Sequence, residues 1–173
     1  MTRKEILRLM PRDSKDLDGA QRIIALGHPV IGPALDDIVH CMRVADSIVA
    51  DAFADFVGTV GAAAAPAIAK ELLPNENLWI RDRVLLKILP KWSTEDVMQL
   101  RDTLMTIASL QPDPYDNDIR CIQILTDRRL VDTSWLQDLI ESKTRWWQRR
   151  CLLITKAKEG ILRAEQFVDD NPT

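Results

Sequence analysis

The chain has 173 residues, 46% apolar and 28% charged. That is the length of one domain or one short repeat array, with the composition of a folded globular protein rather than a disordered or collagen-like one. Its 23 Lys and Arg against 26 Asp and Glu give a formal charge of -3 and a pI near 5.4, which argues against a broad face built to neutralise nucleic-acid phosphates.

The opening, MTRKEILRLMPRD, alternates charge with apolar residues and meets Pro11 before an apolar h-region can form, so no secretory signal is expected. Pro11 ends a first short helix, and Asp13 or Ser14 is placed to cap a second, giving an opening pair over residues 2–26. Beyond the break at 27–29, Ile31-Gly32-Pro33-Ala34-Leu35 puts a proline in a first helical turn. Over 47–60, Val49, Ala52, Phe53, Phe56 and Val60 form one apolar stripe, with Asp51 and Asp55 pointing away. The longest uncharged apolar run, residues 56–69, falls short of the roughly 20 residues a bilayer span needs. A cytoplasmic chain without a membrane segment is the expectation.

Ala64-Ala65-Pro66-Ala67-Ile68 repeats the earlier proline element 33 residues on. Ser93 with Asp96 forms a capping box ahead of Val97, Leu100, Leu104, Ile107 and Ala108, and Ser134 with Gln137 gives a second one ahead of Leu136, Leu139 and Ile140. Trp79-Ile80-Arg81-Asp82-Arg83 aligns with Trp146-Trp147-Gln148-Arg149-Arg150, and Arg120-Cys121-Ile122 falls between them. Breaks at 74–77, 90–93, 111–118 and 130–133 leave segments one helix long, and no hairpin chemistry of the Asn-Gly kind marks a strand pair. The prediction is an all-α chain: a single repeat domain over 1–173, of roughly nine to eleven helices, built as an α-solenoid of antiparallel hairpins at 28–60, 62–91, 94–128 and 133–159.

A proline opening the first helix of a pair and an arginine inside the second resemble HEAT-like repeats, in which that arginine commonly tethers the neighbouring turn. The chain also resembles a bacterial family of small helical-repeat proteins of uncharacterised function that open on a Leu-Ile-Pro-Lys-Asp-like stretch. Here the matching residues are Leu9-Met10-Pro11-Arg12-Asp13, followed by Asp16-Leu17, and then Asn77-Leu78-Trp79 with Leu89-Pro90. The likeness covers about residues 5–128. Met10, Arg12 and Arg81 depart from the commonest family residues, and the segment with Trp146 and Trp147 extends past the usual end. The resemblance implies a fold and a bacterial source, with no catalytic residues to carry over.

Chemistry finds little foothold. His28 and His40 are the only histidines, and neither stands in a metal-ligand spacing, so no metal or other cofactor is expected. There is no nucleophile elbow, P-loop or dinucleotide fingerprint. Cys41, Cys121 and Cys151 are widely spaced in apolar stretches and read as buried reduced thiols rather than a nucleophile or a disulfide framework. Asp51 and Asp55, at i and i+4, match an acid–base pair, yet the same pattern is the ordinary solvated face of an amphipathic helix. A non-catalytic protein is the reading.

Charge distribution is more telling. Residues 25–69 hold the acids Asp36, Asp37, Asp46, Asp51 and Asp55 against the single base Arg43, whereas 143–158 hold six bases and no acid. Trp146 and Trp147 stand among those bases, in the Trp-plus-Arg composition enriched at binding hot spots. Such a chain is expected to bind a protein partner, most concretely as an immunity-type inhibitor occluding a basic toxin domain. Asp36, Asp37, Asp51 and Asp55 would supply the charge complement and Trp147 a hydrophobic anchor. The alternatives are nucleic-acid backbone binding through 143–158, as in HEAT-like DNA-repair glycosylases, and a structural subunit of an assembly.

Overall fold

The computed structural model describes residues 1–44, 47–73, 78–111 and 114–170, with backbone only for 160–170. Asp46, Asn77, the break at 74–77 and part of the 111–118 connection lie outside the described residues. The helices are α1 (Arg3–Leu7), α2 (Leu17–Leu26), α3 (Leu35–Cys41), α4 (Ile48–Val60), α5 (Ala65–Leu72), α6 (Leu78–Arg83), α7 (Thr94–Met98), α8 (Arg101–Ser109), α9 (Asn117–Asp127) and α10 (Thr133–Asp170). No strand occurs among the described residues, so the all-α class holds. Two compact units divide the chain, Met1–Leu130 and Val131–Thr173.

In the first unit α2, α3 and the π-helical segment Val84–Ile88 pack on α4, α3 also meets α5, and α8 lies along α9. Ile23, Ile38, Phe53, Val57, Ile68, Leu72, Ile80, Ile88, Leu104 and Leu125 are fully buried there. The stretch Ile48–Leu72 has the length and apolarity of a membrane span, but Val49, Phe53, Val57, Ile68 and Leu72 within it lie in this core and Gly61 (φ 71°) breaks it after α4. The stripe expected on α4 is rotated. Ala50, Ala54, Val57 and Gly58 join Val49 and Phe53 inside, while Ala52, Phe56 and Val60 are half-buried. Small residues at 50, 54 and 58 give α4 a second face that its neighbours can approach closely, and a search for large apolar residues passes over it.

Local signals were realised unevenly. The capping box at α7 forms, with Ser93 Oγ accepting from Asp96 N at 3.1 Å and Asp96 Oδ2 accepting from Ser93 N at 3.3 Å. Asp96 Oδ1 also accepts from Ala62 N at 2.9 Å, so one carboxylate ties the start of α7 to the turn after α4. The cap of α2 is Asp16, accepting from Gly19 N at 2.9 Å, rather than Asp13 or Ser14. Ser134 lies inside the first turn of α10 and does not cap it.

Arginines close the carbonyl ends of helices. Arg83, buried, donates through Nη1 to Met42 O and Val44 O at 2.8 Å each, beyond the end of α3. Arg81, also buried, donates to Leu72 O at 3.0 Å, the last residue of α5. Arg128 reaches Trp92 O at 2.7 Å and Leu89 O at 3.0 Å, and Arg101 reaches Leu130 O at 2.7 Å. The last carbonyls of a helix have no partner within it and sit at the negative end of its dipole, so a forked cation meets both needs. The three arginines aligned by sequence nevertheless do different work: Arg83 ties backbone, Arg120 pairs with Asp82, and Arg150 lies over the Trp146 ring.

The second unit replaces the hairpin expected at 133–159 with the single helix α10 of 38 residues. Residues 133–159 contain neither Gly nor Pro, so nothing in the backbone chemistry stops the helix there.

Candidate interaction surfaces

The four aspartates expected to form an acidic face are exposed or half-buried, and each meets a base of the same chain. Asp37 on α3 receives Arg3 in bidentate fashion, Nε to Oδ2 at 2.8 Å and Nη2 to Oδ1 at 2.7 Å. Asp36 receives Lys70 Nζ at 2.9 Å. On α4, Asp51 Oδ1 accepts from Lys87 Nζ at 2.7 Å and Arg83 Nε at 3.2 Å, and Asp55 accepts from Lys91 Nζ at 2.7 Å. Arg83, Lys87 and Lys91 stand four residues apart, matching the i, i+4 spacing of Asp51 and Asp55. Every one of these pairs joins residues 32 to 36 apart in sequence. Counting charge over 25–69 stops one residue short of Lys70 and well before 83–91, which is why the region reads as acidic.

The pairing sets the protonation. The Arg3 hydrogen bonds hold the Asp37 carboxyl below its usual range, and the Lys87 hydrogen bond, assisted by Arg83, does the same for Asp51. Asp51 and Asp55 are thus both engaged by bases of the same chain, and their i, i+4 spacing serves ion pairing with Arg83, Lys87 and Lys91. His40 Nδ1 lies 3.0 Å from Glu71 Oε1, and His28 is exposed. Among the described residues no group of three His, Cys, Asp or Glu side chains could hold a metal. The expectation of three buried thiols holds only for Cys121. Cys41 is half-buried, with burial pushing its thiol pKa up, and Cys151 is exposed.

The tryptophans divide by role. Trp92 is buried, its Nε1 donating to Val57 O at 3.4 Å, whereas Trp79 is partly exposed against Tyr115 with ring centroids 5.3 Å apart. On α10, Trp146 and Trp147 meet edge to face at 4.9 Å and 89°, and the Arg150 guanidinium lies 4.8 Å over the Trp146 ring. Trp146, Ser142, Arg145 and Arg149 line a shallow hollow of about 290 Å³. Trp147 is 48% exposed, as an anchor residue would need to be, and Leu152, Leu153 and Ile154 follow at 55%, 60% and 68%. Three consecutive aliphatic residues at that exposure are the signal the sequence reading passed over, because consecutive positions point to different sides of a helix and fall outside any single stripe.

No known protein family, curated protein or solved structure matches the chain.

Proposed function

We propose that the chain is a non-catalytic, cytoplasmic protein-binding module of HEAT-like helical hairpins, with α10 as its main docking element. The observation that carries this reading is Trp147, Leu153 and Ile154, exposed together on one side of one helix, with Leu152 exposed on another. Exposed apolar residues grouped in this way mark interaction surfaces, unlike the same residues scattered singly. A repeat architecture is supported by the ion pairs spanning 32 to 36 residues and by arginines that bond the ends of preceding helices.

In its most concrete form the module is an immunity-type inhibitor that occludes a toxin. A basic toxin could use Asp36, Asp37, Asp51 and Asp55 only by exchanging its own bases for Arg3, Lys70, Arg83, Lys87 and Lys91. This favours α10, with Trp147, as the first contact. The second reading, nucleic-acid binding through 143–158, draws on Arg150 stacked over Trp146 and on Arg145 and Arg149, which line the same hollow as Trp146.

The test is capture of the tagged full chain from a lysate of its source cells, with and without nuclease, beside a Trp147→Ala/Ile154→Ala variant. A stoichiometric protein partner that survives nuclease and is lost from the variant is the expected result. Recovery of nucleic acid alone, released by salt, overturns the reading.

A further inference from the structure

Resting on the protein-binding reading, we infer that the 145–158 segment of α10 docks as a helix into an apolar groove rimmed by carboxylates on an acidic partner protein. Arg145, Arg149, Arg150, Lys156 and Lys158 are exposed and have no carboxylate partner among the described residues. That is the reverse of the first unit, where the bases of the α4 face are matched by aspartates.

Helical spacing places these groups. At 100° per residue, Trp146 and Leu153 form one column and Trp147 and Ile154 the next, while Arg145, Arg149 and Lys156 form a basic edge beside the first. Arg150 falls between the two apolar columns, and Leu152 lies nearly opposite Arg150.

This arrangement discriminates among occupants. A second copy of the chain, paired through this segment, would set base against base along its length, so self-association is disfavoured. A bilayer takes up one side of a helix. It would bury Arg150 in the middle of the inserted face and leave Leu152 in water. A nucleic-acid backbone matches the bases and can stack on Trp146, but offers nothing to Leu152, Leu153 and Ile154. A protein groove satisfies the whole set: walls on two sides cover Leu152 as well as Trp147 and Ile154, and rim carboxylates meet Arg149 and Arg150.

The test uses the full chain with calcium-loaded calmodulin as probe, an acidic protein whose Met-rich groove receives basic amphipathic helices. Controls are vesicles of phosphatidylcholine and phosphatidylglycerol at 3:1 and a single-stranded dT oligonucleotide, all followed by fluorescence anisotropy of the labelled chain. Saturable binding to calmodulin is expected, abolished by calcium chelation. Trp147→Ala/Ile154→Ala and Arg149→Glu/Arg150→Glu should each weaken it at least about tenfold, with helix content by circular dichroism unchanged. Absence of saturable binding to calmodulin overturns the inference. So does tighter binding to vesicles or oligonucleotide, or a stable dimer of the chain that Trp147→Ala/Ile154→Ala dissolves. If calmodulin fails while the lysate still yields a nuclease-resistant protein partner, only the acidic-groove inference falls; if the lysate yields nucleic acid alone, the protein-binding reading falls with it.

Discussion

The α3–α4 face and the later half of α10 carry charge in opposite ways. On the first, Asp36, Asp37, Asp51 and Asp55 are each held by a base from another helix or turn of the same unit. On the second, five exposed bases stand beside exposed Trp147, Leu153 and Ile154 with no carboxylate partner among the described residues. The two looked equivalent as runs of like charge. They differ because a charge run becomes a surface potential only after residues distant in sequence, here 32 to 36 positions away, are counted, and the difference separates internal fastening from exposed charge.

The contrast can be broken most forcefully at Arg83. Replacing Arg83 with Leu removes the donors to Met42 O and Val44 O and leaves those carbonyls to be satisfied otherwise. A loss of about 2–4 kcal/mol is expected from such orphaned groups, read from urea unfolding, while Arg149→Leu leaves the midpoint where it was. Equal effects of the two substitutions would erase the distinction between the regions.

A smaller effect is expected from alanine at Asp36, Asp37, Asp51 and Asp55 together. Exposed ion pairs contribute little, so Tm should fall by no more than about 5 °C, and binding of a partner through α10 should be unchanged. A large loss of affinity for a basic partner would instead restore these four residues as the contact face.

The smallest effect is in the acid limb. Asp37 and Asp51 have folded pKa values below their unfolded ones, so their contribution is present above the ordinary carboxylate range and is lost as pH falls through the folded values. Below about pH 4 the wild-type chain should therefore lose Tm more steeply than an Asp37→Asn/Asp51→Asn variant, which lacks that term. Parallel curves would mean that these pairs contribute nothing.

Much of the fold was legible where a single helix face decides burial. Val97, Leu100, Leu104, Ile107 and Ala108 recur at helical spacing and all are fully buried, although Gln99 and Leu100 interrupt the helix between α7 and α8. The Ser93–Asp96 box was legible for the same reason: it is local. What stayed hidden was non-local. The partners of Asp36, Asp37, Asp51 and Asp55 lie 32 to 36 residues away, and the inner face of α4 uses Ala50, Ala54 and Gly58, whose small side chains give no hydrophobic stripe. The expected turn within 133–159 failed in the other direction: the hairpin pattern was extended into a stretch without a helix breaker. Of the candidate site, Trp147 was legible from composition; the run from Leu152 to Ile154 needed exposure, which periodicity does not report.

From Trp147 through Glu159 every side chain of α10 is exposed. Over that length no described side chain is buried against another element, and a helix without such packing draws little stability beyond its own turns. Its amide hydrogens should therefore exchange rapidly in the isolated chain, and slowly under the proposed docking of the segment into a partner. Affinity then depends in part on a quantity no contact list contains. Thr155, whose Oγ1 donates back to Cys151 O at 3.0 Å, is a weak helix former on this stretch, and a change there would retune how strongly the chain is held simply by altering how often the helix is present to be held.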